Sequence, residues 1–176
     1  MKAVAIVIIC LVLIIAGVYA VKLSNQPSDE ETYLRIHIRA NSNDAVDQSV
    51  KYKVKDSIVE FMTPALEGVK TKAEAMEILQ SNTAQMKRVA DDTLAQNGYN
   101  YTSRVSLRKE EFPARTYGDL TLDSGVYDAL IIELGSGEGD NWWCVVFPPL
   151  CFVSQDKGDV EYKSFFARLY RKIAGR

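Results

Sequence analysis

One histidine and three cysteines are the only residues of this 176-residue chain that could supply imidazole or thiol chemistry. His37 together with Cys144 or Cys151 and a nearby carboxylate would form the minimum of a thiol nucleophile activated by a base. The residues around His37 argue against it. The stretch Leu34-Arg35-Ile36-His37-Ile38-Arg39 sets Arg35 and Arg39 on the same face of a strand as His37. Two neighbouring cations lower the pKa of an imidazole and make it a poor counter-charge for a thiolate. The cysteines have another fate. Cys144 and Cys151 flank Pro148-Pro149, and in an oxidising compartment such a pair can close a small loop; a disulfide and a pair of buried free thiols both remain open on the sequence. Cys10 lies in an apolar segment and bears on neither.

Other chemistry is poorly supplied. A metal centre lacks ligands, with one histidine and no CxxC spacing, so no metal and no other cofactor is expected. Gly135-Ser136-Gly137-Glu138-Gly139 resembles a phosphate loop only in its glycines; it lacks the Gly-Lys-Ser/Thr end and carries an acid where phosphate would sit, so a turn is the better reading. Asp119, Asp123, Asp128 and Asp140 are scattered through turns rather than paired for acid–base work.

The elements that would position these residues can be read from periodicity. The 137–152 stretch holds both tryptophans, two cysteines and two of the five prolines. Its run Trp142 to Phe147 reads as a strand covered on both faces, with at least one tryptophan and Val145 largely buried, ended by Pro148-Pro149. Tyr33 to Ala40 alternates Leu34, Ile36 and Ile38 against Arg35, His37 and Arg39, a strand with one buried and one charged face. Asn41 to Asp44 offer N-caps for a helix with the stripe Val46, Val50, Val54 and Ile58, ended at Thr63-Pro64. Thr71 and Glu74 form a capping box for a second helical stretch, which Ser81-Asn82-Thr83 could divide and Asn97-Gly98 stops. Strands near Tyr101–Leu107, Phe112–Tyr117, Val126–Leu134 and Trp142–Phe147 follow, joined by turns short enough for antiparallel hairpins. Tyr162, Phe165, Phe166, Leu169 and Ile173 mark a helix over Val160 to Ile173. The order predicts an α+β domain: a mainly antiparallel sheet, helices after the first strand and a C-terminal helix.

Composition bounds the class. Apolar residues make up 47% and charged residues 25%, a balance able to build a core, and the net charge of −2 lacks the basic field of a nucleic-acid binder. Lys2 precedes an uncharged run from Ala3 to Val21, long enough at about 1.5 Å per residue to cross the hydrocarbon core. Residues 1–21 are thus expected to be a transmembrane anchor or a signal peptide, with Val18-Tyr19-Ala20 as a cleavage-like end; the length of the run favours the anchor. Residues 22–32 read as a polar linker and 33–176 as the exported domain, on the positive-inside rule.

With the strands placed, three blocks carry a resemblance. Leu34 to Ser42 with its capped helix, Phe112-Pro113-Ala114-Arg115-Thr116-Tyr117-Gly118-Asp119-Leu120-Thr121-Leu122, and Gly139 through the double tryptophan to Phe152 together resemble the stage II sporulation protein R family of endospore-forming Firmicutes. The resemblance implies a signalling protein exported from the forespore into the space between the forespore and mother-cell membranes. There it would activate a membrane-embedded aspartic protease of the mother cell that processes pro-sigma-E. It establishes no catalytic residues, so none carry over; no small-molecule substrate is expected, and the net charge speaks against nucleic acid. The candidate partner surface is Arg115, Tyr117 and Asp119 with Asp140 and Asn141, because arginine and tyrosine give interfaces large contact areas with hydrogen-bonding ends. The alternative for the first block is an Arg115–Asp119 ion pair across a turn, and the alternative for the whole chain is an extracytoplasmic thiol hydrolase acting on the cell wall through Cys144 and His37.

Overall fold

A computed structural model describes residues 9–19 and 27–151. Residues 9–19 form a helix, α1, whose apolar side chains are exposed. Among the described residues no helix is long and apolar enough to cross a membrane; the run 3–21 expected to do so extends past the described residues at both ends. The helix expected over Val160 to Ile173 lies outside the described residues.

A short helix, α2 (Asp29–Thr32), opens the domain through a capping box in which Ser28 and Glu31 satisfy each other's backbone N–H groups. β1 (Leu34–Arg39) follows, then two long helices, α3 (Ala45–Leu66) and α4 (Lys72–Gln96), and five strands: β2 (Ser103–Phe112), β3 (Arg115–Tyr117), β4 (Leu120–Leu122), β5 (Gly125–Leu134) and β6 (Asn141–Phe147). The α+β class agrees with the sequence, and the four main strands run in the order β2-β5-β1-β6. The sheet is mixed rather than uniformly antiparallel. β2 pairs antiparallel with β5 and β6 antiparallel with β1, but the central pair β1 and β5 is parallel. The short turn between β5 and β6 therefore does not make the expected hairpin: β1 lies between them. β3 and β4 form a separate two-stranded hairpin, of which the sequence marked only the first strand.

The helices differ from their sequence reading in physically simple ways. Pro64 does not end α3, which runs on to Leu66 and stops at Gly68 in the left-handed region with φ +80°; the proline forfeits its own N–H bond to the preceding turn, and the packing of Met62 and Leu66 in the core holds the last turn in place. Ser81, Asn82 and Thr83 do not break α4, because each turns its side chain back onto a carbonyl of the preceding turn, at 2.9, 2.8 and 3.0 Å.

Both helices pack on one face of the sheet. Val50, Val54, Ile58 and Met62 of α3 and Leu79, Met86 and Leu94 of α4 form one core with Leu34, Ile36, Ile38, Leu130, Ile132 and Cys144. Burying those side chains is the main source of stability, on the order of 1.5–3 kcal/mol each. The turn from β1 into α3 is tied by Asp47, which is buried and accepts from Asn41 Nδ2 at 2.8 Å, Ser42 Oγ at 2.7 Å and Tyr101 Oη at 2.7 Å. Burial pushes the Asp47 carboxyl up, but those three donors outweigh it and hold the group below the usual carboxylate range. Burial, and after it the bonded Asp47 carboxylate, keep the Tyr101 hydroxyl protonated well above its ordinary range. Gly139 closes against the same turn, where a Cβ would stand 2.1 Å from the Ser42 carbonyl oxygen.

Candidate functional site

The sheet face turned away from the helices carries the polar chemistry. It was expected to be the solvated side of β1, yet Arg35 is fully buried and His37 is 4% exposed. Two features account for this. β1 is a central strand, flanked by β5 and β6, and a second apolar cluster of Phe112, Tyr127, Ala129 and Ile131 lies on this face. The β3–β4 hairpin also folds towards β1, so that Arg35 Nη2 donates to Tyr117 Oη at 3.0 Å. The Arg35 guanidinium rests 4.2 Å from the ring centre of Phe112 and 4.8 Å from that of Tyr127. Its Nε and Nη1 have no hydrogen-bond partner, and no carboxylate pairs with it among the described residues.

Next along β1, His37 Nδ1 lies 2.7 Å from Glu110 Oε1, which makes Nδ1 the protonated nitrogen. Its ring packs against Trp143 with centroids 5.3 Å apart. Burial lowers the His37 pKa, opposed by Asn141 and Glu110, while Arg39 adds a smaller lowering. The depressed value expected from the sequence is thus present, but desolvation rather than the flanking arginines is its main cause. Glu110 and Glu133 are shared among several cations: Arg39 reaches both, and Arg108 bonds Glu110 Oε2 at 3.0 Å and Glu133 Oε1 at 3.3 Å. Glu110 would be raised by its burial, but His37, Arg108 and Arg39 bring it below the usual range.

Beside this network an open groove of about 530 Å³ runs between β3 and the start of β6. Arg115, Thr116 and Tyr117 form one wall, and Asp140, Asn141, Trp142 and Trp143 the other. Four of the five residues singled out from the sequence as a partner surface therefore stand together. Asp119 does not join them; it is exposed in the turn between β3 and β4. Arg115 makes no ion pair with Asp119 among the described residues and instead stacks on Trp143, 4.2 Å from a ring centre. Neither tryptophan is the buried core residue that the apolar run suggested: both are half-buried on an edge strand, while Val145 is fully buried as expected. Periodicity missed the charges beside the groove, buried Arg35 and half-buried Glu110, because charged residues at alternate positions read as a solvated face. The one usable signal was the concentration of aromatic residues, Phe112, Tyr117 and Tyr127, able to roof an arginine.

The thiol constellation is not assembled. Cys144 is the cross-strand partner of Ile36 and packs in the helix-side core, whereas His37 is partnered by Trp143 on the opposite face. A cysteine on one face of a sheet is out of reach of an imidazole on the other. Cys144 is also joined to Cys151 as a disulfide, with Cα atoms 6.5 Å apart. The chain after Pro148-Pro149 returns so that Leu150 and Cys151 both donate to the Val145 carbonyl. The hydrolase reading through Cys144 and His37 falls with this geometry. Among the described residues no group of three or more histidine, cysteine or acidic side chains is placed to hold a metal. What the face offers is shape, aromatic surface and charge, which are the means of binding.

Comparison with known proteins agrees with the three sequence blocks. The family model described as stage II sporulation protein R matches residues 30–157. The chain is 33% identical over 168 residues to stage II sporulation protein R of Bacillus subtilis (strain 168), covering 90% of this chain and 75% of that protein. No solved structure matches. With the match running from α2 through the groove and the disulfide, this chain belongs to the stage II sporulation protein R family.

Proposed function

We propose that this chain acts in endospore formation as an exported, non-enzymatic signal that activates a membrane-embedded aspartic protease of the mother cell and so triggers processing of pro-sigma-E. Family membership supports the sporulation role. The observation that carries a binding role is the groove between β3 and β6, in which exposed Arg115 and half-buried Tyr117, Trp142 and Trp143 converge. Arginine, tyrosine and tryptophan are the residues that dominate protein interfaces. The uncharged run 3–21 and the exposed apolar side chains of α1 support export into the space between the two membranes, with the chain held at a membrane. A ligand activates such a protease only by favouring its active arrangement over the inactive one, so contact area and charge at this groove are the quantities that matter.

The test is to express the full chain with its cognate protease and pro-sigma-E in one membrane system and to follow the processed form. Processing that needs the chain is expected, and Arg115→Gln should abolish it while leaving the melting temperature unchanged. Processing that continues without the chain overturns the reading. An Arg115→Gln variant that activates fully removes the groove from it.

A further inference from the structure

The charges around the groove do not balance, and the imbalance defines what it accepts. Arg115 lies on the wall, stacked on Trp143, with no ion pair among the described residues. Behind Tyr117, which lines the groove, stands Arg35, fully buried, with Nε and Nη1 unpartnered and Nη2 bonded only to that tyrosine. The one acid of the groove, Asp140, is exposed and forms an ion pair with neither arginine among the described residues. Lys51, itself buried, donates to the Asp140 backbone carbonyl at 3.0 Å and adds a third cation beside it. The neighbouring carboxylates Glu110 and Glu133 are already engaged by Arg39, Arg108, Arg104 and His37. Asp29, Glu30 and Asp123 stand near Tyr127, and none of them forms an ion pair with Arg35 or Arg115 among the described residues.

A buried guanidinium left without an anion is costly, because desolvation of a charge is offset only by a partner of opposite sign. Stacking on aromatic faces recovers part of that cost and leaves donors unused. The geometry points to an acidic, extended peptide segment of the partner as the occupant: one carboxylate paired with Arg115, the apolar stems of the segment on Trp142 and Trp143, and the Arg35 charge behind Tyr117 favouring negative charge in the groove. The position suits an extended segment, since β6 is an edge strand of the sheet among the described residues. Its later half is closed off at Val145 by the return of Leu150 and Cys151, which leaves the half beside the groove as the approachable edge. This inference rests on the reading of the groove as the partner surface and adds the chemistry of what it takes.

The two tryptophans of the chain both line the groove, so emission excited on the red side of tyrosine absorption reports on it. The full chain, reconstituted in phosphatidylcholine nanodiscs, is titrated with a blocked decapeptide of alternating valine and glutamate and with its valine–lysine counterpart. A saturable change of tryptophan emission with the glutamate peptide is expected, weakened at high salt as ion pairs are screened and absent with the lysine peptide. Arg115→Gln should weaken binding about tenfold or more, the loss of one charge-assisted contact, and Asp140→Asn should strengthen it. Equal response to both peptides, no response to either, or unchanged affinity in Arg115→Gln overturns the proposal, and the unaltered chain decides the first two without any variant. An emission change on replacing phosphatidylcholine by phosphatidylglycerol, with none on adding the acidic peptide, also overturns it, in favour of an anionic membrane surface. The protease is absent from this assay, so a failure to bind the acidic peptide is distinguishable from a failure to trigger processing.

Discussion

Reduction of the Cys144–Cys151 disulfide should destabilise the domain by a predictable amount. The bond closes a loop with a sequence separation of 7. The loss of loop entropy in the unfolded chain then gives a stabilisation of about 2.4 kcal/mol at 25 °C. For a domain of this size about 1 kcal/mol corresponds to roughly 4 °C, so reduction should lower the melting temperature by roughly 10 °C. Cys151 is half-buried and Cys144 is 3% exposed, so the reductant reaches the bond from the Cys151 side. The assay is thermal unfolding by circular dichroism with and without a phosphine reductant, on the parent and on Cys151→Ser. The variant should melt near the reduced parent and ignore the reductant. Thiol counting in denaturant supplies the stoichiometry: of the three cysteines only Cys10 should react before reduction. Three reactive thiols in the untreated chain, or a melting temperature that the reductant leaves within about 2 °C, would refute the reasoning.

Stability should fall with acid in two stages. His37 has a folded pKa below its ordinary 6.5, so its contribution is present above that value and is lost as pH falls through the folded one; His37→Gln should flatten the slope on the acid side of about pH 6.5, and an unchanged slope would count against burial as the cause. Asp47 and Glu110, also lowered, lose their contribution further down, below about pH 4.5. Asp47→Ala strands three hydrogen-bond donors and should cost about 3 kcal/mol by urea unfolding, whereas a cost under about 1 kcal/mol would mean the turn relaxes around it. Ile36→Ala, in the helix-side core, should cost about 3–4 kcal/mol and more than Trp143→Ala on the half-exposed groove wall; the reverse order in chemical denaturation would contradict the assignment of faces.

Local patterning by itself determined most of the elements. The alternation of Leu34, Ile36 and Ile38 marked β1, the Thr71–Glu74 cap marked α4, and the glycine and proline turns separated the later strands, because these signals depend on neighbours a few residues apart. The blocks 34–42, 112–122 and 139–152 also sufficed to place the chain in its family. Strand order and register were decided only by the tertiary structure, since they depend on contacts between residues far apart in sequence that no local period encodes. Setting β1 in the middle of the sheet buried Arg35 and His37, which the alternation alone assigned to solvent. The register against β6 put Cys144 and His37 on opposite faces and so removed a nucleophile that the composition allowed. The same packing left Trp142 and Trp143 on an edge and brought β3 across to meet them, turning an expected core strand into the wall of a groove.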